Sequence, residues 1–459
     1  MRKVLDERRN FLKMTVAGAA GLALVKVNKV LAAPAAWATG MAINPTISNT
    51  RVVACYDTKM FNSTPTSMTF APENAAVNAA RVQANMDAMA ISLSQKTKAA
   101  DAWSAIFQKP AAKTWAQVKV AIKVNTIEPK NMARVAVIQK FCTIFSGLGV
   151  LPSNIIIYDG NTTYAAGISN YTPYFSLTDT SKIQAVVSSY NSAMGGTVNA
   201  TIPGGTSAAC SAYVANGTID ILVNIANNKG HTMMGGATLS MKNHFGTFAP
   251  NHDNNYVFNI NKSDAILGGT PPRQQLCFID SLIANKVSNQ GTPESIPCYL
   301  IMGVFGPIVD YLTVKNIREA IMGCTHTESV IDSYVTTFGY ATTDPVWVLV
   351  PPATTGISEQ MPHENISRNF QSFEVALSNN SNTHNSARFS IPNTVGSFQI
   401  QITDMNGRVV REININSLDS SKIFLWDGKT SSGRTVSPGN YAVKVHAGNF
   451  EQMGRIIIA

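Results

Sequence analysis

Apolar residues change their spacing several times along this chain, and the changes mark its elements. Val118, Val120, Ile122 and Val124 alternate with Lys119, Ala121 and Lys123, the two-residue period of a strand. Val135, Ile138, Phe141, Ile144 and Leu148 then recur at helical spacing; Pro129 and Asn131 mark the opening of that helix, and Gly147 and Gly149 suit its end. An unbroken apolar run from Ile155 to Tyr158 follows and stops at Asp159-Gly160, as a buried strand would. Strand, helix and strand in quick succession are the rhythm of a parallel βαβ unit. The same reading predicts a strand over 51–56 and a helix over 75–93 with Val77, Val82, Met86, Met89 and Leu93 on one face. It also predicts a short helix over 101–107, strands over 182–187, 276–279 and 299–304, and a helix over 310–322 closed by Gly323.

The stretch from Ile219 to Phe248 organises the rest. Its apolar run, Ile219 to Ala226, is broken only by Asp220 and Asn224, and leads into a polar turn with Lys229, Gly230 and His231 and then into Gly235-Gly236. Ala237, Met241 and Phe245 recur every four residues with Phe248 close behind, which predicts a strand, a turn and a short helix. In a parallel α/β sheet such a turn lies at the carboxyl end of its strand, where open sheets bind ligands. Lys229, His231, Lys242, Asn243 and His244 would gather there.

Past Trp347 the composition shifts to Pro, Thr and Gly, marking a linker over 351–366. Over 367–459 the chain reads as seven short strands, FEVAL, ARFSI, FQIQIT, VVREIN, IFLWD, YAVKVHA and GRIIIA, separated by turns such as Asn406-Gly407. The expected fold class is a mainly parallel-sheet α/β domain over 39–350 followed by a C-terminal β-sandwich.

Composition narrows the function. Hydrophobic residues make up 45% of the 459 positions and charged ones 14%, so the chain folds around a sizeable core. The formal charge is +9, but residues 1–38 hold seven basic residues against Asp6 and Glu7; five of the nine charges sit there and four remain. That is too mild for a nucleic-acid partner. The six cysteines form no C-x-x-C pair, which excludes zinc ribbons and ferredoxin-type clusters and leaves buried thiols, or one disulfide between distant positions.

At the N-terminus, Arg8-Arg9-Asn10-Phe11-Leu12-Lys13 precedes an apolar run too short to span a bilayer. Cleavage sites such as Ala36-Trp37-Ala38 follow. Residues 1–38 thus closely resemble a twin-arginine signal peptide, which implies export of an already folded protein and leaves room for a cofactor inserted beforehand. No particular cofactor follows from the sequence, and no transmembrane span is expected in the mature chain.

Lys229 and His231, two apart beside a predicted helix start, would favour a small anion, with Lys242 as a third donor. His231 could act as general acid or base near neutral pH, with Lys229 and Asp280 completing a catalytic set. Lys123, Asn125, Asp159, Lys242 and Asn243 would bind the ligand; Asp159 and Asp280 could orient His231 or help hold a cation. The plainer alternative has Lys229 and His231 bonding backbone carbonyls and Lys242 solvated. His231, His244, His252 and Asp253 fit no compact metal-ligand spacing, so no metal ligands are assigned. His326, His363 and His384 read as surface residues.

Two family resemblances rest on these residues. Lys123 and Asn125 in AIKVN, Asp159-Gly160, Lys229-Gly230-His231, Lys242-Asn243 with Gly246, Asp280, and Asp310 ahead of Ile321-Met322-Gly323 together resemble the DUF362 family over roughly 51–347. That implies an α/β domain of poorly defined activity. The chain lacks the ferredoxin cysteines some relatives carry, and has GPIV before Asp310 where a D-P-V-A type sequence is more usual. At the other end, ITDMNGRVVREI and FLWDGKTSSGRTVSPGNYAVKVHAG resemble the FlgD-type Ig-like domain and are similar to C-terminal sorting domains of type IX secretion cargo. That implies surface delivery and attachment, or a spacer, with twin-arginine and type IX machinery as export partners. The expectation is an extracytoplasmic protein, periplasmic, surface-bound or secreted, that binds a small anionic molecule or a metal-assisted substrate. A non-enzymatic surface protein is the alternative.

Overall fold

The computed structural model describes residues 37–160, 165–176, 178–187, 194–353, 387–390, 398–404, 408–415, 423–426, 428–437, 439–447 and 450–458. The twin-arginine motif, nearly all of the linker and the FEVAL strand lie outside the described residues.

Eight strands form the central sheet: β1 (Arg51–Tyr56), β2 (Val120–Lys123), β3 (Ile155–Asp159), β4 (Gln184–Val187), β5 (Ile221–Asn227), β6 (Gln274–Ser281), β7 (Tyr299–Gly303) and β8 (Val346–Leu349). Their order across the sheet is β8-β1-β7-β6-β5-β2-β3-β4. Every pairing is parallel except the two made by β7, which runs against β1 and β6. The sheet is thus mixed and mostly parallel, and the carboxyl ends of β6, β5, β2 and β3 stand side by side. Both inner strands, β5 and β6, are buried along their whole length, as their apolar runs require.

Helices cover both faces. Phe278 of β6 meets Phe141 of helix α2 (Val135–Leu148), ring centroids 5.6 Å apart. Its neighbour Cys277 faces the start of helix α3 (Gly306–Thr313), where a Cβ on Gly306 would come within 3.1 Å of its sulfur. Consecutive strand residues point to opposite faces, so α2 and α3 lie on opposite sides. Helix α1 (Ala79–Ser94) packs beside α2. All six cysteines are free thiols, five of them buried.

The helix expected to open at Pro129 and Asn131 starts instead at Val135. Arg134 is extended ahead of it, its backbone N–H held by the Asp280 carboxylate at 2.7 Å. The helix expected over 310–322 starts four residues early at Gly306 and passes into a π-helical turn, Val314–Glu319.

The larger correction falls in the central stretch. Ala237 to Phe248 is not a helix: Lys229–Gly230 pairs with Ala237–Thr238 as a small hairpin, and a single 3-10 turn, Lys242–His244, follows. An amphipathic helix needs a wet face, but Lys242, Asn243 and His244 are all buried, bonded or packed within the protein. Left-handed backbone at Gly235, Gly236 and Gly246 breaks helical continuity on both sides.

The C-terminal strands β9 (Ala387–Ser390), β10 (Phe398–Asp404), β11 (Val409–Ile415), β12 (Ile423–Trp426), β13 (Gly439–Ala447) and β14 (Phe450–Ile458) are all antiparallel. They form a four-stranded sheet, β11-β10-β13-β14, and a β9-β12 pair. Trp426 of β12 is buried, packs edge-on against Tyr441 of β13 at 5.4 Å and donates its indole N–H to the Lys429 carbonyl. One aromatic side chain thereby joins the two sheets.

Candidate functional site

Four neighbouring strands deliver polar side chains to one sheet edge. Lys123 ends β2, and its Nζ, fully buried, donates to Asp159 Oδ1 (2.5 Å) at the end of β3, to the Val124 carbonyl (2.7 Å) and to Asn243 Oδ1 (3.2 Å). Asp159 Oδ2 accepts from the Thr126 backbone N–H (2.5 Å) and hydroxyl (2.9 Å). Asn243 Nδ2 reaches back to Asn224 Oδ1 (2.8 Å) and the Ile225 carbonyl (3.1 Å) on β5. Asn125 spans the gap, with Nδ2 to Asn243 (3.3 Å) and Oδ1 accepting from Lys229 Nζ (2.8 Å).

Glycines make this closeness possible. A Cβ on Gly246 would lie 2.7 Å from Asp159 Oδ1 and 2.6 Å from the Gly160 nitrogen, and one on Gly230 would lie 2.3 Å from the Val287 backbone. Gly230, between Lys229 and His231, is therefore fixed by a crossing chain.

The sequence-derived set divides into three groups. Lys123, Asn125, Asp159, Asn243 and Lys229 form the inner network just described. Asp280 belongs to its neighbour: it accepts from the backbone of Arg134 (2.7 Å) and Leu282 (3.1 Å), lies 3.9 Å from Arg134 Nε, and shares that guanidinium with Glu73. Asp280 makes no bond to His231. His231 instead sits in an outer group, its ring 5.9 Å from that of the exposed His252 and its Nδ1 accepting from the Met233 N–H at 2.8 Å. Lys242 belongs with it, lying 5.0 Å above the Phe245 ring. His244 turns the other way, into the sheet, where Nε2 meets Gln274 at 2.7 Å and Asn224 at 3.2 Å.

Charge is compensated unevenly. Burial pulls Lys123 below the ordinary lysine value, opposed by the Asp159 carboxylate in contact with it. Lys229 has no carboxylate in contact: burial brings it down to about 7, against the pull of Asp159 and Glu128. Burial brings Lys242 to about 8; only 5% exposed, it has no hydrogen-bond or ion-pair partner among the described residues. Burial, with Lys242 and His252 adding repulsion, holds His231 down to about 4, so its ring is neutral at physiological pH. Since Nδ1 accepts, the neutral ring carries its proton on Nε2. Beside Lys229, both amide atoms of Asn227 and the Thr238 hydroxyl are buried without a partner. Such atoms are rare in folded interiors, and Arg134 Nε and Glu73 Oε1 are also without a hydrogen-bond partner.

Sequence reading missed Arg134, Glu73, Asn227 and Gln274. Asn224 was visible as a polar break in an apolar run; Asn227 stands at the end of that run and carried the same signal. Glu73 and Arg134 are 61 positions apart and nothing local links them.

The protein is thus a mostly parallel α/β protein with a polar site at its strand ends, followed by a β region. Residues 120–284 match the family described as Domain of unknown function (DUF362), and residues 376–450 match the FlgD Ig-like domain. Among curated proteins, the basal-body rod modification protein FlgD of Salmonella typhimurium is 45% identical over 49 residues, which is 10% of this chain and 21% of FlgD. The chain thus spans only about a fifth of that relative's length. Among solved structures, FlgD from P. aeruginosa is similar at 26% identity over 15% of this chain and 56% of its own, with a TM-score of 0.12. PorZ, a surface component of the type-IX secretion system of Porphyromonas gingivalis, is similar at 21% identity over 16% of this chain and 9% of its own, with a TM-score of 0.13.

Proposed function

We propose that this is an exported protein whose α/β domain binds a small anionic molecule at the carboxyl ends of β2, β3 and β5. The observation that carries the reading is Lys229: fully buried, bonded among the described residues to Asn125 Oδ1 alone and to no carboxylate, and two positions from Asn227, whose buried amide has no partner among them. A lone buried ammonium is costly, and the site meets that cost by shedding the proton or by taking in an anion. Lys242 supplies a second amine with the same deficit, and the half-buried His231, its value lowered by both Lys242 and His252, has its ring 5.9 Å from that of solvent-exposed His252. With Nε2–H as a donor, His231 would bind and orient an anion; a general-base role would need the opposite tautomer.

Export is read from Arg8-Arg9 and from the FlgD-like C-terminal region, which fits display at or beyond the cell surface. Trp37 stacks on Phe305 at 4.7 Å and donates to the Phe338 carbonyl, so signal cleavage should fall before Trp37 rather than after Ala38. Replacing Arg8 and Arg9 with lysine should hold the protein in the cytoplasm, and fractionation would show it.

Native mass spectrometry of the full exported chain tests the binding reading. A small anionic molecule should co-purify with the wild type and be lost from Lys229→Met and Lys242→Met. If the wild type carries none and takes up none from a panel of carboxylates and phosphates, the reading fails. A chain that binds without turnover would favour the non-enzymatic alternative.

A further inference from the structure

Lys229 is fully buried, so a ligand reaches it only when some covering segment moves. The loop 285–295 lies across the residues on either side of it. Its Asn285 N–H donates to the Asn228 carbonyl at 3.1 Å, and the Lys286 and Val287 backbone lies so close to Gly230 that a Cβ there would overlap it. Its tip reaches the loop after β2, where the Gly291 N–H donates to Glu128 Oε2 and Lys130 Nζ to the Thr292 hydroxyl at 3.1 Å. That second loop also carries Asn125, which accepts from Lys229, and Glu128 is close enough for its charge to act on Lys229. Loop 285–295 therefore bridges the two segments that Lys229 joins.

Its two ends are held differently. The neck is firm: Ala284 and Ser295 exchange backbone bonds of 2.9 and 3.1 Å, and Asn131 Nδ2 donates to Asn285 Oδ1 at 2.6 Å. Arg318, fully buried, donates to the carbonyls of Asn285 (3.1 Å) and Lys286 (2.6 Å). Beyond the neck, Pro293 is the only buried residue over 286–294, and Val287 is 75% exposed. Apolar packing therefore does little to keep this span down. Polar bonds at the tip do it instead: those from Gly291 and Lys130 across to the other loop, and those from the Asn285 amide to the carbonyls of Gly291 (3.4 Å) and Thr292 (3.2 Å). A compact surface loop with a closed neck and few apolar contacts opens locally at far less cost than the fold as a whole.

We infer that 286–294 is a gate over Lys229, latched by the Glu128 carboxylate and hinged at the neck; it regulates entry to the proposed anion site and rests on that reading for its purpose, though the opening itself needs no ligand. Glu128 suits a latch. Its Oε1 accepts from the Lys130 N–H at 3.0 Å, which fixes the carboxylate on its own loop and presents Oε2 to Gly291. Opening breaks the bonds at Gly291 and Thr292, lifts Val287 from Gly230 and leaves the Arg318 bonds in place.

The test is acetylation of the full-length protein with an N-hydroxysuccinimide ester at pH 8, read at Lys229 by peptide mass mapping. At that pH burial leaves Lys229 largely neutral, so water access limits its reaction. Glu128→Ala should speed Lys229 labelling by about tenfold. Gly291→Pro removes the latched N–H at an exposed position with φ +97°, without altering any charge or the core, and should do the same. In both variants the rate should hardly change in dilute urea, because a local opening exposes little surface. Unchanged labelling in Gly291→Pro and Glu128→Ala, or a rate that climbs with urea as steeply as global unfolding does, would overturn the gate. Inorganic phosphate probes the anion site separately and should slow labelling of the wild type saturably. If phosphate gives no protection while the latch variants still label faster, the anion reading fails and the gate stands; protection by phosphate with no effect of either variant sinks the gate alone.

Discussion

Arg134 and Lys229 are both fully buried at the carboxyl edge of one sheet, yet their surroundings differ in kind. Arg134 lies between Glu73 and Asp280, its backbone N–H bonded to Asp280 and its side chain to Glu73 and Asn131. Among the described residues Lys229 contacts one amide oxygen and no carboxylate. Burial raises both Asp280 and Glu73 and the guanidinium opposes that rise only in part, but the Arg134 group does set its cation beside carboxyls. The Lys229 group does not. A closed ionic cluster holds a loop to a sheet; an open one leaves bonding capacity for a ligand. The contrast separates a structural part of this sheet edge from the part proposed to bind a ligand.

The largest effect should come from breaking the closed cluster. Arg134→Met leaves two buried carboxyls without their cation and should cost about 3–5 kcal/mol, visible as a lower denaturant midpoint or as failure to fold. Lys229→Met should do something different: remove a pH dependence. Folding lowers the Lys229 value from 10.5 to about 7, so between those limits the unfolded chain holds the proton that the folded chain sheds. Stability therefore rises with pH from about 7 to about 10.5, by up to a few kcal/mol, and the methionine variant should lose that slope. Urea midpoints at pH 7, 8.5 and 10 would measure it.

His244 gives a further, narrower contrast. Burial depresses it to about 3, so its contribution is lost as pH falls from about 6.5 to about 3. His244→Gln should flatten acid unfolding in that window while leaving the alkaline slope intact. The smallest effect belongs to the surface: Lys315 bonds Glu328 and Glu319 near solvent, and Lys315→Ala should change stability by less than about 1 kcal/mol.

Much of this architecture was legible beforehand because it is local. The strand at Arg51–Tyr56 shows in six consecutive residues, and β2, β3 and β5 show as apolar runs with polar ends. Lys123, Asn125, Asp159, Lys229 and Asn243 were placed together because strand ends in a parallel sheet must converge. The failure at Ala237–Phe248 has an equally physical cause. Spacing of four describes a helix only if its other face is wet, and here Asn243 and His244 are buried in hydrogen bonds and Lys242 is buried without one, which no local pattern encodes. The separation of Asp280 from His231 was invisible for the same reason: it depends on Arg134, which stands before a helix and bonds across 146 positions.

The central claim is that Lys229 and Lys242 await an anion, and anion-dependent unfolding at pH 7 tests it directly. In inorganic phosphate the wild type should gain stability with a saturable dependence, reaching about 2.7 kcal/mol at a hundredfold excess over Kd. The Lys229→Met, Lys242→Met double variant should show none of that gain. Equal stabilisation of both proteins would contradict the account.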